Sequence, residues 1–312
     1  MNQDAGARQA IWSVPEQRSA PQHLADPQPE EHENRLPPMM PIFSWLRETR
    51  EKRSRVRYER NKFKKIAAYA EKYGVKTASD YSFQTGTGED EYLRTLKEKL
   101  QDEGVTMLGS RKLDTLRHCA EHCLREDIAG DFIETGVWKG GATILLAGVL
   151  QAYGNKDKKV YVADSFAGLP PPDEEKYPLD KGDTHHTRAD LAVGLDEVKA
   201  NFARFELLSD RVVFIKGFFE ESLPTAPISD LALLRLDGDM YGSTMTVLEQ
   251  LYHKLSVGGF LILDDWLLSG ARQALLDFRD RVGITEPLYQ DFSGVYWQKT
   301  KKTEPLLNLD RR

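Results

Sequence analysis

Five short apolar runs set the rhythm of this chain: Phe132 to Thr135, Val160 to Asp164, Val212 to Lys216, Leu231 to Leu236 and Phe260 to Leu263. Each has strand length and is rich in β-branched, aromatic or leucine side chains. Helical spacing fills the gaps. Leu113, Leu116, Ala120, Cys123, Leu124 and Ala129 fall near one face of a segment from Arg111 to Ile128; Ala142 to Tyr153 is apolar; Met245, Leu248, Leu251, Tyr252 and Leu255 recur at helical intervals. Strands alternating with helices predict right-handed crossovers and an α/β fold, a mostly parallel sheet covered on both faces. Pro287 to Phe292 and Val295 to Gln298, separated by Ser293-Gly294, predict a hairpin that adds an antiparallel pair at one edge.

Two stretches break the rhythm. Residues 1–42 are rich in Pro, Gln, Glu and Ala, a composition that cannot bury enough surface to offset ordering entropy, and predict a disordered or extended arm. Gly168 to Asn201 contains Pro170-Pro171-Pro172-Asp173-Glu174-Glu175 and Asp183-Thr184-His185-His186-Thr187. A long polar insertion beside the carboxyl ends of parallel strands predicts a lid. The expected organisation is therefore the arm, a basic helical extension over 43–103, a main domain over 104–300 and a tail over 301–312.

Charge changes the picture only locally. The chain of 312 residues carries a net −6, yet Arg47 to Lys65 holds ten Lys/Arg against three Glu. Such a basic helix suits a membrane surface, RNA or an acidic partner, or a solvated helix packing through Phe63, Ile66, Ala67 and Ala70. The acidic remainder does not support nucleic-acid binding. No apolar run approaches the roughly 18 residues of a transmembrane helix, and the N-terminus lacks the features of a secretory signal. Two cysteines, Cys119 and Cys123, offer no disulfide framework and suit a reducing compartment, so a cytoplasmic location is expected. His118 and His122 flank them, but one helix cannot wrap four such ligands around a metal; core cysteines and surface histidines are the expectation.

The candidate chemistry lies at the strand ends. Leu234-Arg235-Leu236-Asp237-Gly238-Asp239 and Leu261-Ile262-Leu263-Asp264-Asp265 are apolar runs ending in carboxylates. If the two strands are neighbours, four acids converge in the crevice where α/β sheets bind ligands, and their repulsion calls for a divalent cation. The turn Gly136-Val137-Trp138-Lys139-Gly140-Gly141 has neither the dinucleotide spacing nor a Walker lysine. Its glycines still permit close backbone approach to a ligand. Glu134 and Asp164 end strands on the same edge, as carboxylates that bind a ribose diol or a cationic group do, and Gly217-Phe218-Phe219 offers an apolar slot for a purine. A nucleoside without phosphates fits this set, and S-adenosylmethionine is such a ligand.

Asp131-Phe132-Ile133-Glu134-Thr135-Gly136-Val137-Trp138-Lys139-Gly140-Gly141, Asp164-Ser165-Phe166-Ala167-Gly168-Leu169-Pro170, Leu234 to Tyr241 and Asp264-Asp265-Trp266 resemble, in order, the motifs of macrocin-type O-methyltransferases. These metal-dependent class I enzymes methylate sugar hydroxyls of macrolide and aminocoumarin antibiotics. The resemblance spans about Gly104 to Lys299 and implies a Rossmann-like sheet of seven strands with a reversed last hairpin. By matching position it implies Asp237, Asp264 and Asp265 as Mg²⁺ ligands and Asp239 as general base. It also implies Glu134, Gly136, Asp164, Ser165, Gly217, Phe218, Phe219 and Asp237 at the cofactor, with Thr106, Met107 and Leu108 beside it. A small glycosylated acceptor and a homo-oligomer, a dimer, are the implied partners. Gly242 stands where relatives often carry an acid, and Trp266 where many carry Tyr; the latter is expected to reshape the acceptor pocket.

The implied chemistry is methyl transfer to one hydroxyl of a vicinal diol, with His185 and His186 as rival bases. A catechol-type O-methyltransferase and a non-catalytic S-adenosylmethionine-binding scaffold are the alternatives. The glycine spacing disfavours a nicotinamide-dependent dehydrogenase.

Overall fold

A computed structural model describes residues 42–77 and 90–305, with the side chains of 42–53, 55 and 90 left aside. The arm predicted over the first residues therefore lies almost wholly outside the described ones. The chain divides into two compact units after Arg55. No described helix is long and apolar enough to cross a membrane.

The helices and strands follow in the order α1 (Ile42–Tyr73), α2 (Asp90–Asp102), α3 (Ser110–Arg125), β1 (Asp131–Thr135), α4 (Gly141–Ala152), β2 (Val160–Asp164), α5 (Leu195–Arg204), β3 (Val212–Lys216), α6 (Phe219–Ser222), β4 (Leu231–Leu236), α7 (Tyr241–Leu251), β5 (Leu255–Leu263), α8 (Ser269–Val282), β6 (Tyr289–Asp291) and β7 (Gly294–Gln298). They build one seven-stranded sheet ordered β3-β2-β1-β4-β5-β7-β6. Neighbours from β3 to β5 run parallel; β7 is antiparallel to both β5 and β6. This is the predicted class I methyltransferase sheet with its reversed hairpin. The chain just after α1 closes the far edge: Lys76 donates its amide to Leu288 O and accepts from Gln290 N, each at 2.8 Å.

Alternation along each strand feeds two cores. Phe132, Val162 and Leu233 face α2 to α5, whereas Ile133, Tyr161, Leu234 and Leu236 face α7 and α8. Each wholly buried leucine contributes about 2 kcal/mol. Leu93, Leu96 and Leu100 give α2, inside the segment read only as a basic extension, a buried stripe against the first core.

Two boundaries differ from the sequence reading. Leu255 opens β5 instead of closing the preceding helix, because α7 stops at Leu251 and a 3-10 turn, Tyr252–Lys254, intervenes. The insertion ends at Gly194, where α5 begins and buries Val198 and Phe202. Before that it is built from three 3-10 turns, Pro178–Asp180, His185–Thr187 and Ala189–Leu191.

Candidate active site

β1 and β4 are in register, with Glu134 opposite Arg235, and Arg235 in turn opposite Ile262 of β5. Parity then puts Glu134, Arg235, Asp237 and Asp264 on one face. Arg235, 1% exposed, is a charge in the middle of a buried strand. Its guanidinium donates to Glu134 Oε1, to Asp237 Oδ2 at 2.9 Å and to Asp264 Oδ1. Thr143 Oγ1 donates to the other Glu134 oxygen at 2.7 Å. Lys112, buried at the start of α3, donates to Asp264 Oδ2 at 2.5 Å and to its backbone carbonyl at 3.1 Å.

Neither cation belongs to the candidate site expected from the sequence. Arg235 carried a usable signal, as the one charged residue inside the apolar run Leu231 to Leu236. Lys112 carried none, since only the fold brings α3 to the end of β5.

With Asp264 engaged by these two cations, the acids that come together are Asp237, Asp239 and Asp265; one oxygen of each lies within 4.8 Å of the others. Among the described residues these three form the group able to hold a metal ion. Asp239 takes a left-handed backbone (φ 60°), and its amide donates to Asp265 Oδ2 at 2.9 Å. Asp tolerates that conformation better than most residues.

Electrostatics separates the two groups. Burial, then the charge of Asp264, pushes Asp237 up to about 7. Burial, then Asp237 and Asp239, pushes Asp265 well above the carboxylate range. Burial also raises Asp239, against the opposing influence of His185. Asp264 lies below its ordinary value: burial would raise it, but Lys112 and Arg235 outweigh that. Three mutually repelling oxygen donors are the kind of set that a hard dication satisfies. The fit is good for a cation such as Mg²⁺.

Beside the acids runs an open cleft. Gly136, Asp164, Ser165, Phe218, Phe219 and Asp237 line it, together with Met107 and Asp239. Gly136 (φ 85°) has to be glycine, because a Cβ there would meet Asp237 O at 1.8 Å. Asp164 accepts 2.7 Å bonds from Val137 N and Phe166 N, pinning the β1 and β2 turns together. Gly217 (φ 140°) forms the turn before Phe218. Glu134 and Thr106 lie in an adjoining pocket with Met107, Arg235 and Asp237.

The insertion roofs this cleft. Leu169, Pro170 and Leu191 line it, and Trp138 Nε1 donates to Asp190 O at 2.8 Å. Asp180 is buried and accepts from Tyr241 N (2.6 Å) and Gly242 N (2.8 Å), fastening the insertion to the start of α7. Asp183 holds His185 Nδ1 at 2.8 Å, whereas His186 is exposed. Trp266 lies 3% exposed against α1 and is not among the residues lining this cleft. Cys119 and Cys123 are buried and free. The two histidines near them are half-buried rather than on the surface, His122 packing edge-on against Phe260 at 5.2 Å.

Known proteins agree with this architecture. The structure of the O-methyltransferase NovP superposes with a TM-score of 0.65 at 38% identity, covering 69% of this chain and all of that one. Mycinamicin III 3''-O-methyltransferase of Micromonospora griseorubida is 45% identical over 199 residues, 62% of this chain and 78% of that one. An enzyme of Streptomyces olivaceus named for 4'-O-methylation of a rhamnosyl-tetracenomycin is 44% identical over 197 residues, 62% and 76% of the two chains. Demethyldecarbamoylnovobiocin O-methyltransferase of Streptomyces niveus is 42% identical over 217 residues, 66% and 83%. The macrocin-O-methyltransferase (TylF) family profile matches residues 45–299, so the chain belongs to that family of O-methyltransferases.

Proposed function

We propose that this O-methyltransferase moves the methyl group of S-adenosylmethionine, the donor its fold implies, to one hydroxyl of a vicinal diol on the sugar of a glycosylated natural product. The trio of carboxylates within 4.8 Å of one another, at the edge of the open cleft lined by Gly136, Asp164 and Phe218, is the observation that carries this reading. The relatives named for sugar-bearing antibiotics support the acceptor class.

Asp164 has lone pairs left for a ribose hydroxyl after its two amide bonds. Phe218 and Phe219 receive the adenine, and the acidic lining of Glu134 and Asp237 favours the cationic sulfonium end. Motif position and geometry both support Asp237 and Asp265 as the acids that would hold a divalent cation. Asp264 has the matching motif position, yet its oxygens are taken by Lys112 and Arg235. A bound Mg²⁺ supplies Lewis acidity that lowers the pKa of an acceptor hydroxyl toward neutrality.

Asp239 accepts that proton on a carboxylate oxygen. The acceptor oxygen bonds to the methyl carbon as the carbon–sulfur bond breaks, leaving S-adenosylhomocysteine. The roof formed by Leu169, Pro170 and Leu191 excludes water and aligns the two reactants. Two assays test this reading: calorimetry with S-adenosylhomocysteine, and methyl transfer to a panel of glycosides and catechols. Binding with glycoside turnover is expected. No binding removes the cofactor, and turnover on catechols alone moves the chain to aromatic acceptors.

A further inference from the structure

Beyond the end of β5 the backbone carbonyls of Trp266 and Leu267 have no strand to pair with, and cationic side chains satisfy them. Arg272 Nη1 donates to Trp266 O at 2.9 Å and Lys65 Nζ to Leu267 O at 2.8 Å. Lys112 holds Asp264 O, at the other end of the same turn, at 3.1 Å. The three cations come from α8, α1 and α3, and the turn they grip carries Asp264 and Asp265.

Arg272 is buried and ringed by aromatic side chains. It is 8% exposed, and its guanidinium carbon sits 4.3 Å from the Tyr69 ring, 5.8 Å from Tyr73 and 6.0 Å from Trp266. Tyr73 also meets Trp266 edge-on at 5.2 Å. A buried guanidinium ordinarily finds a carboxylate; this one is met by the carbonyls of Trp266 and Leu268, by the Tyr73 hydroxyl and by ring faces.

We propose that Arg272, caged by Tyr69 and Tyr73 of α1, is a positioning residue that fixes the Asp264-Asp265 turn against Asp237 and Asp239. α1 thereby belongs to the working parts of the site, although it lies outside the sheet. The assignment rests on the metal reading given above. Losing a group that orients metal ligands without touching the metal typically costs about 10- to 100-fold in affinity.

The test compares the full chain with the double variant Tyr69→Ala/Tyr73→Ala, its ring-preserving counterpart Tyr69→Phe/Tyr73→Phe, and Arg272→Lys. Calorimetric titrations with Mn²⁺ and with S-adenosylhomocysteine are paired with amide hydrogen exchange in the metal-free protein. The alanine pair and Arg272→Lys should weaken Mn²⁺ binding about tenfold or more while leaving S-adenosylhomocysteine within about twofold. The phenylalanine pair should bind Mn²⁺ as the parent does. Exchange at residues 264–268 should quicken without change in β4.

Unaltered exchange over 264–268 overturns the proposal, and so do Mn²⁺ and S-adenosylhomocysteine affinities that fall in parallel with exchange rising across the sheet. If the parent protein takes up no Mn²⁺, the metal reading fails separately, and the exchange experiment alone decides the positioning role.

Discussion

Arg235 shows how much a single side chain decides here. Three carboxylates, Glu134, Asp237 and Asp264, share its guanidinium inside the sheet. Replacing it with methionine keeps the bulk but strands buried Glu134 and the half-buried Asp237 and Asp264, and breaking buried pairs in this way costs about 3–5 kcal/mol. Urea denaturation of Arg235→Met measures that loss. Asp239→Asn is a different test, because it removes a proton acceptor and keeps the shape. Turnover should be abolished with S-adenosylhomocysteine affinity retained; near-normal turnover would pass the role to His185 or to water.

The same residues set a pH dependence. Asp237 titrates near 7 in the folded chain against 3.8 ordinarily, and Asp265 is also raised. The folded state therefore binds protons that the unfolded state has released. The stability this gives is fully present below the unfolded value and lost as pH rises through about 7. Asp264, lowered, works in the opposite sense and matters only as pH falls below its ordinary value of 3.8. Melting of the metal-free protein should therefore rise from pH 8 to pH 6, and added Mg²⁺ should raise it more at pH 8, where fewer protons compete.

Among elements, the roof over the cleft depends on two small features. Asp180 caps α7 from a segment about sixty residues away in sequence, and Gly242 leaves room for Tyr177, whose Cδ2 would lie 2.5 Å from a Cβ added there. Asp180→Ala should cost about 1 kcal/mol, the usual loss when a helix N-terminus gives up its acceptor. Gly242→Ala should cost about 1–3 kcal/mol by overpacking against Tyr177. Both should raise KM for the acceptor more than they lower kcat, which steady-state kinetics and thermal melts resolve together.

Legibility in the sequence also divides by element. Runs such as Leu231 to Leu236 announce buried parallel strands, and Ser293-Gly294 announces the hairpin. The extension over 43–103 is legible as helical, but the buried stripe of α2 is not, because Leu93, Leu96 and Leu100 sit among ten charged or polar residues. The roof's polar stretches were readable as an insertion, but not Asp180, whose partners exist only after the chain has folded back on α7.

At the scale of the molecule, the sheet order β3-β2-β1-β4-β5 explains why widely separated motifs meet, since β1, β4 and β5 are neighbours. That convergence could be anticipated from acids at strand ends. What could not be anticipated was its division into Asp264, paired with Lys112 and Arg235, and the trio Asp237, Asp239 and Asp265. Counter-charges supplied by α3 and by mid-strand β4 are tertiary facts, as is the Arg272 cage between α1 and α8.

The most direct test is methyl transfer to a glycoside diol by protein dialysed against EDTA, assayed before and after Mg²⁺ is restored. Activity that disappears on dialysis and returns with the ion is the predicted result. Undiminished turnover in EDTA would contradict a role for a bound dication among Asp237, Asp239 and Asp265.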